Sequence, residues 1–142
     1  MEKYNLNHDI KIFYVKAKSF PDGIGEAYQK LHALLPDTEG RQFYGISYLD
    51  GSIGEGHIIY KAAVEEAYVG EAEKYGCETF LIKKGTFLSE NLMDWKRDET
   101  IVGKTFQKML SDPHIDENGY CLEVYLGEKD MRCMVPLDSS HS

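Results

Sequence analysis

The sequence predicts an α+β fold in which duplicated βαββ units form an antiparallel sheet with two helices and a cleft where the units meet. Runs rich in β-branched and aromatic residues alternate with period two, which is typical of strands. Two other stretches carry apolar residues at helical spacings of three and four. The order strand, helix, strand, strand occurs twice, over about 10–65 and about 77–137 of a single domain spanning 1–142. An internal duplication explains this most simply, and a coincidental order is the alternative.

The first unit begins with a strand over about 10–19, after a polar segment that we expect to be loosely held. Asp22 is a candidate N-cap for a helix that Pro36 ends. The helix has one apolar stripe: Ile24, Ala27, Tyr28, Leu31 and Leu34. Residues 43–49 and 57–64 then read as two strands, joined by a glycine-rich hairpin loop over 50–56.

The second unit repeats this order with a longer connection. A strand over 77–84 stops at Gly85, and residues 86–97 lead to a helix that begins at Asp98. Val102, Phe106 and Met109 form its apolar stripe, and the segment 111–113 ends it. Residues 120–126 and 131–137 read as the final two strands, with a turn over 127–130 between them.

Composition excludes several classes of function. The 142 residues include 24 Asp and Glu against 16 Lys and Arg, and the net charge of −8 disfavours direct binding to nucleic acid. No apolar run approaches the ~18–20 residues of a membrane helix, and no basic-then-apolar segment opens the chain. We therefore expect a cytoplasmic protein without a membrane span.

Cysteine and histidine spacing gives no support for a disulfide framework or a metal centre. Cys77, Cys121 and Cys133 are far apart, and we expect them to be buried as small hydrophobic residues in a reducing compartment. The five histidines show no metal-ligand spacing. We expect neither a metal nor a cofactor.

Glu123 is the most informative single residue. It interrupts a strand of β-branched and aromatic residues, and a buried carboxylate is costly unless a partner or ligand compensates it. Period two places Glu123 and Tyr125 on one face, where a carboxylate beside aromatic rings would suit a cation. The alternative is an edge strand on which Glu123 is solvated or paired with a lysine. Trp95, in the longer connection, is a candidate ligand contact or a core anchor of that segment.

Five segments together resemble the GyrI-like small-molecule-binding domains, which also occur as effector-binding domains behind AraC-type and MerR-type DNA-binding modules. The resemblance covers nearly the whole chain. Lys83 stands where the family often has proline, and no helix-turn-helix precedes residue 10. The five segments are 20–24 (Phe-Pro-Asp-Gly-Ile), 44–47 (Tyr-Gly-Ile-Ser), 60–64 (Tyr-Lys-Ala-Ala-Val), 82–87 (Ile-Lys-Lys-Gly-Thr-Phe) and 122–126, which is similar to a Glu-x-Tyr signature.

The resemblance implies a ligand cleft between the units, with Glu123 at its base facing cationic, lipophilic and often aromatic compounds. The candidate aromatic wall residues are Tyr28, Tyr60, Trp95, Phe106 and Tyr125. It implies a stand-alone small-molecule-binding protein of the multidrug-binding, transcription-regulating kind.

Two alternatives stay open. Some GyrI-like proteins hydrolyse reactive cyclopropane-bearing DNA-alkylating natural products, and Glu123 would then be catalytic as the proton-handling group for an attacking water. Other members inhibit gyrase, which implies a separate regulatory or topoisomerase protein as partner.

Overall fold

The structure, a computed structural model, describes residues 1–49 and 57–138, so the glycine-rich loop predicted over 50–56 lies outside the described residues. The chain forms two compact units. The inserted unit is Ile10–Ile82, and the flanking unit is Met1–Asp9 together with Lys83–Ser142. The elements in chain order are β1 (Glu2–Leu6), β2 (Ile10–Lys16), α1 (Ile24–Leu34), β3 (Phe43–Leu49), β4 (Ile58–Glu65), α2 (Glu71–Lys74), β5 (Glu78–Ile82), β6 (Gly85–Leu92), a 3₁₀ turn (Trp95–Arg97), α3 (Thr100–Leu110), β7 (Cys121–Leu126) and β8 (Asp130–Pro136).

The inserted unit contains four antiparallel strands in the order β5-β2-β4-β3. One face of these strands packs against α1, and its core combines Phe13, Tyr60 and Val64 with Ala27 and Leu31 of the helix. Alternate residues point to the opposite face, which is also largely buried. That second face carries Ile12, Ile46 and Lys61.

The flanking unit also contains four antiparallel strands, in the order β1-β6-β8-β7. Helix α3 packs on one face of them through Phe106 and Met109. The strand residues of this core are Leu88, Leu92, Met131, Cys133 and Val135. This helix-bearing face also carries Glu123 and Tyr125 of β7.

The predicted fold class, duplicated βαββ units with two helices, was wrong. The described residues form eight antiparallel strands and three short helices, so sheet predominates. The strand predicted to open the second unit is β5, and it pairs with β2 in the inserted unit. The predicted connection over 86–97 contains strand β6, and the supposedly loose N-terminal segment contains β1, which pairs with β6. Pairing with distant partners, which local periodicity does not encode, decides all three differences.

A buried ion pair fastens the segment around α2. Both guanidinium nitrogens of Arg41 donate to the Glu71 carboxylate, Nη1 to Oε2 at 2.9 Å and Nη2 to Oε1 at 2.8 Å. The backbone N–H of Ala67 donates to the same Oε1 at 2.8 Å. Burial by itself would raise the pKa of Glu71, but these hydrogen bonds and the charge of Arg41 outweigh it, so the pKa lies below its ordinary value.

This lowered pKa predicts a specific dependence of stability on pH. The unfolded chain binds a proton at the ordinary glutamate pKa of about 4.3, whereas the folded chain binds it only at lower pH. The stabilisation is therefore complete above about pH 4.3 and is lost as the pH falls through the folded-state pKa. We expect the difference in free energy of unfolding between the wild type and Glu71→Gln, measured in urea, to be largest at neutral pH and to narrow towards pH 3. A difference that does not change with pH would contradict this assignment.

The three cysteines differ in their burial. Cys133 is buried in the flanking core, whereas Cys77 and Cys121 are half-buried, and all three are free thiols. The expectation of burial therefore holds fully for Cys133 alone.

The helices in the described ranges were also compared with the length and apolarity that a membrane span requires. None of them is long and apolar enough to cross a bilayer.

Candidate functional site

Glu123 lies on the face of the flanking unit that packs against α3. In the antiparallel register Glu123 is directly opposite Cys133, and residues opposite each other present their side chains on the same face. Cys133 packs with Phe106 and Met109 of α3, which identifies that face. Glu123 is half-buried there, beside the apolar core, and Glu90 of β6 lies on the same face on the other side of Cys133.

A tyrosine hydroxyl holds the Glu123 carboxylate. Tyr125 is two residues further along β7 and therefore on the same face, and its hydroxyl donates a hydrogen bond to Oε1 of Glu123 at 2.9 Å. The Cys133 thiol has its pKa raised, chiefly by burial and further by the charge of Glu123. This thiol stays protonated and is not a nucleophile. The face therefore presents a carboxylate that is partly shielded from water.

Trp95 is positioned beside Tyr125 by two hydrogen bonds from the backbone of its segment, one to the first residue of β8 and one to the turn between β7 and β8. The N–H of Asp94 donates to Oδ1 of Asp130 at 2.9 Å, and the N–H of Trp95 donates to the carbonyl of Lys129 at 3.1 Å. The Trp95 and Tyr125 rings then lie with centroids 6.1 Å apart, tilted by 57°. The longer connection of the sequence thus supplies an aromatic ring next to the carboxylate-bearing strand.

Phe106 is more deeply buried than Trp95 and Tyr125, the other aromatic residues of this face. It is only 8% exposed and belongs to the core between α3 and β8, against which Trp95 and Tyr125 pack. Trp95 is half-buried and already contacts a cation, since Nζ of Lys96 lies 5.8 Å from its ring centroid. We define the flanking cluster as Glu123, Tyr125, Trp95 and Phe106.

The two remaining predicted wall residues, Tyr28 and Tyr60, lie in the inserted unit. Tyr28 donates its hydroxyl hydrogen to the carbonyl of Tyr44 at 2.7 Å, so the hydroxyl of Tyr60 is the donor in the 2.9 Å contact between the two rings' oxygens. Tyr60 is only 2% exposed and belongs to the α1 core. The six predicted residues therefore form a set of four in one unit and a set of two in the other.

One arrangement was not found from the sequence. The rings of Tyr14, Tyr48 and Phe80 surround the side chain of Lys61 in the inserted unit. A lone lysine within the otherwise apolar strand 58–64 was the available signal. Within residues 1–49 and 57–138, no three His, Cys, Asp or Glu side chains lie close enough together to hold a metal ion.

Comparison with known proteins by sequence gives no family: no family model matches the chain, and no curated protein matches it. Solved structures do match. An integron cassette protein from the mobile metagenome of Vibrio cholerae superposes with a TM-score of 0.71 at 9% identity, over 96% of this chain and 94% of that one. The protein SAV2435, solved bound to tetraphenylphosphonium, has a TM-score of 0.65 at 10% identity, over 99% and 96% of the two chains.

A third match is described as a hydrolase from Listeria innocua, with a TM-score of 0.57 at 12% identity over 96% of this chain and 90% of that one. At these identities the likeness shows a shared fold. One protein with this fold is bound to a lipophilic cation, tetraphenylphosphonium.

Proposed function

We propose that this protein binds small lipophilic cations at the flanking cluster, as a domain of the GyrI-like kind. The observation that carries the proposal is the half-buried Glu123 carboxylate, held by the Tyr125 hydroxyl beside Trp95, where both rings pack on the core that contains Phe106. The tetraphenylphosphonium complex of a protein with this fold supports the same chemistry. A role in transcriptional regulation would require that ligand binding changes how this domain interacts with a DNA-binding domain.

Cations are favoured at this cluster for two reasons. A carboxylate that is partly removed from water attracts a positive charge more strongly than an exposed one does, because the local dielectric is lower. The faces of Trp95 and Tyr125 carry negative quadrupoles, and each cation–π contact contributes about 0.5–2 kcal/mol. A lipophilic cation gains further from burying its own apolar surface. A neutral compound of the same size gains only the last of these contributions.

The test measures the melting temperature with tetraphenylphosphonium and, for comparison, with neutral triphenylphosphine oxide. We expect the cation at ten times its Kd to raise the Tm of the wild type by about 5 °C. Glu123→Gln keeps an oxygen that accepts from Tyr125 but removes the charge, and it should abolish most of this rise. The neutral compound should give a small shift that is equal in both proteins.

Glu128→Gln is the matched control, because it removes the same charge from an exposed position on the β7–β8 turn. It should keep the full response to tetraphenylphosphonium. Equal responses in the wild type, Glu123→Gln and Glu128→Gln would overturn the proposal.

Hydrolysis is a second candidate function, favoured by the hydrogen bond between Tyr125 and Glu123. A carboxylate with a hydroxyl donor at 2.9 Å provides a proton acceptor and a donor for an attacking water. One protein with this fold is described as a hydrolase. Turnover of a cyclopropane-bearing alkylating substrate by the wild type, lost in Glu123→Gln, would establish this activity, and binding without turnover would leave the binding function alone.

A further inference from the structure

Lys61 is a charged residue in the interior of the inserted unit. It lies in the middle of β4, is only 8% exposed, and points to the face opposite α1. Its Nζ lies 4.4 Å from the ring centroid of Tyr14 and 5.0 Å from those of Tyr48 and Phe80. Removing an ammonium group from water is unfavourable unless other groups compensate it. Three aromatic rings provide this compensation.

The strands bring these rings together from separate parts of the chain. Ile46 of β3 and Lys16 of β2 lie directly opposite Lys61, so Tyr48 and Tyr14 occupy the diagonal positions on the same face. Phe80 reaches the group from β5, next to β2. The ammonium group is thus held among three side chains from three strands.

The charge of Glu78 strengthens this arrangement through Tyr14. The Tyr14 hydroxyl donates to Oε2 of Glu78 at 2.7 Å. A phenol that donates to a carboxylate is polarised, which makes its ring a better partner for a cation. The Tyr14 side chain therefore lies between two opposite charges: its ring faces the ammonium group of Lys61, and its hydroxyl donates to the carboxylate of Glu78.

We propose that Tyr14, Tyr48 and Phe80 form a second cation-binding site, selective for small alkylammonium groups, which the protein fills with its own Lys61 side chain. The site lies in a different unit and on different strands from the flanking cluster, and its carboxylate is Glu78 instead of Glu123. It therefore does not depend on the function proposed above. The natural occupant defines the ligand class: a primary ammonium on a short, unbranched alkyl chain. Vacating the site should make it available to such a compound from solution.

Chemical rescue of Lys61→Ala tests this directly. Alanine keeps the Cβ of Lys61, and n-propylammonium has the three carbons and the nitrogen that are removed. We expect propylammonium, at ten times its Kd, to raise the Tm of Lys61→Ala by about 5 °C. Neutral n-propanol, which has nearly the same size, should give a much smaller rise. Wild-type protein, with its site filled, should respond to neither compound.

Two further measurements distinguish the cation site from a simple cavity. In Lys61→Ala/Glu78→Gln the propylammonium response should fall, because the Tyr14 ring is no longer polarised by a carboxylate. Equal responses to propylammonium and propanol would overturn the proposal, as would a wild-type response equal to that of Lys61→Ala.

If Lys61→Ala does not fold, proton NMR of the wild type tests whether the Lys61 side chain occupies the site formed by the three rings. The Lys61 Hε protons should be shifted upfield of those of the other lysines by the three rings, and Phe80→Leu should reduce this shift. Hε resonances of Lys61 at the position typical of exposed lysines would refute the occupied site.

Discussion

Replacing Arg41 with alanine is expected to lower the free energy of unfolding by about 3–5 kcal/mol. The substitution removes both guanidinium donors and leaves the Glu71 carboxylate, which is only 2% exposed, with the N–H of Ala67 as a remaining donor. An uncompensated buried charge is among the most destabilising changes that a single substitution makes. The Tm should fall by about 10–20 °C, as measured by calorimetry at pH 7.

Two controls separate the buried charge from the loss of a side chain. Glu26 and Lys30 form an ion pair on the exposed surface of α1, and Lys30→Ala should leave the Tm nearly unchanged. The double substitution Arg41→Met/Glu71→Leu replaces the pair with apolar groups, and it should be less destabilising than Arg41→Ala alone. A double variant less stable than Arg41→Ala would show that the pair contributes through its specific geometry instead.

Phe106→Ala is expected to cost about 3–5 kcal/mol of stability, because it empties a ring-sized volume in the α3 core. The family resemblance implied that Phe106, together with Trp95, belongs to the wall of a binding site. The structure places Phe106 in the core at 8% exposed and leaves Trp95 half-buried at its margin. Denaturant unfolding of Phe106→Ala and Trp95→Ala should therefore show a large loss for the first and a clearly smaller loss for the second.

The binding of tetraphenylphosphonium should rank these two positions in the opposite order. Phe106→Leu keeps most of the buried volume and should cost less than about 1.5 kcal/mol of stability, with nearly unchanged affinity. Trp95→Leu removes a ring face beside Tyr125 and should weaken binding by about tenfold, as one lost cation–π contact implies. Equal losses of affinity in Phe106→Leu and Trp95→Leu would show that Phe106 also contacts the ligand.

Local patterns predicted the elements that carry strong periodicity. The apolar stripe of α1 and the alternation of β3 locate both elements closely, at Ile24–Leu34 and Phe43–Leu49. The short strand β1 is largely polar and exposed, and it exists because β6 offers it a partner about eighty residues away. Strand β6 was predicted to be part of a connection, and its sequence, in which Ser89, Glu90 and Asn91 are consecutive polar residues, has only weak alternation. Gly85, with a φ of 149°, is the first residue of β6, and this local feature does not reveal which partner β5 and β6 each select.

At the candidate site, too, local periodicity predicts some features, whereas those that depend on long-range strand pairing could not be predicted. The period of β7 correctly indicates that Glu123 and Tyr125 share a face, and their hydrogen bond follows from that proximity. The assignment of Glu123 to a ligand site stays a prediction. The grouping around Lys61 depends on the register among β2, β3, β4 and β5, which is set by long-range pairing and is invisible in any single segment.

The order in which the chain leaves the ribosome should affect how the two units form. The inserted unit is one continuous stretch, Ile10–Ile82, so all of its strands are available before most of the flanking unit has been synthesised. The flanking unit joins β1 to β6 across that whole stretch, and closing so long a loop carries an entropic cost that adjacent strands avoid. Residues 2–6 must therefore wait for their partner, and at about 5–20 residues per second this delay lasts several seconds. The inserted unit has that time to fold first and to bring the two ends of the flanking unit together.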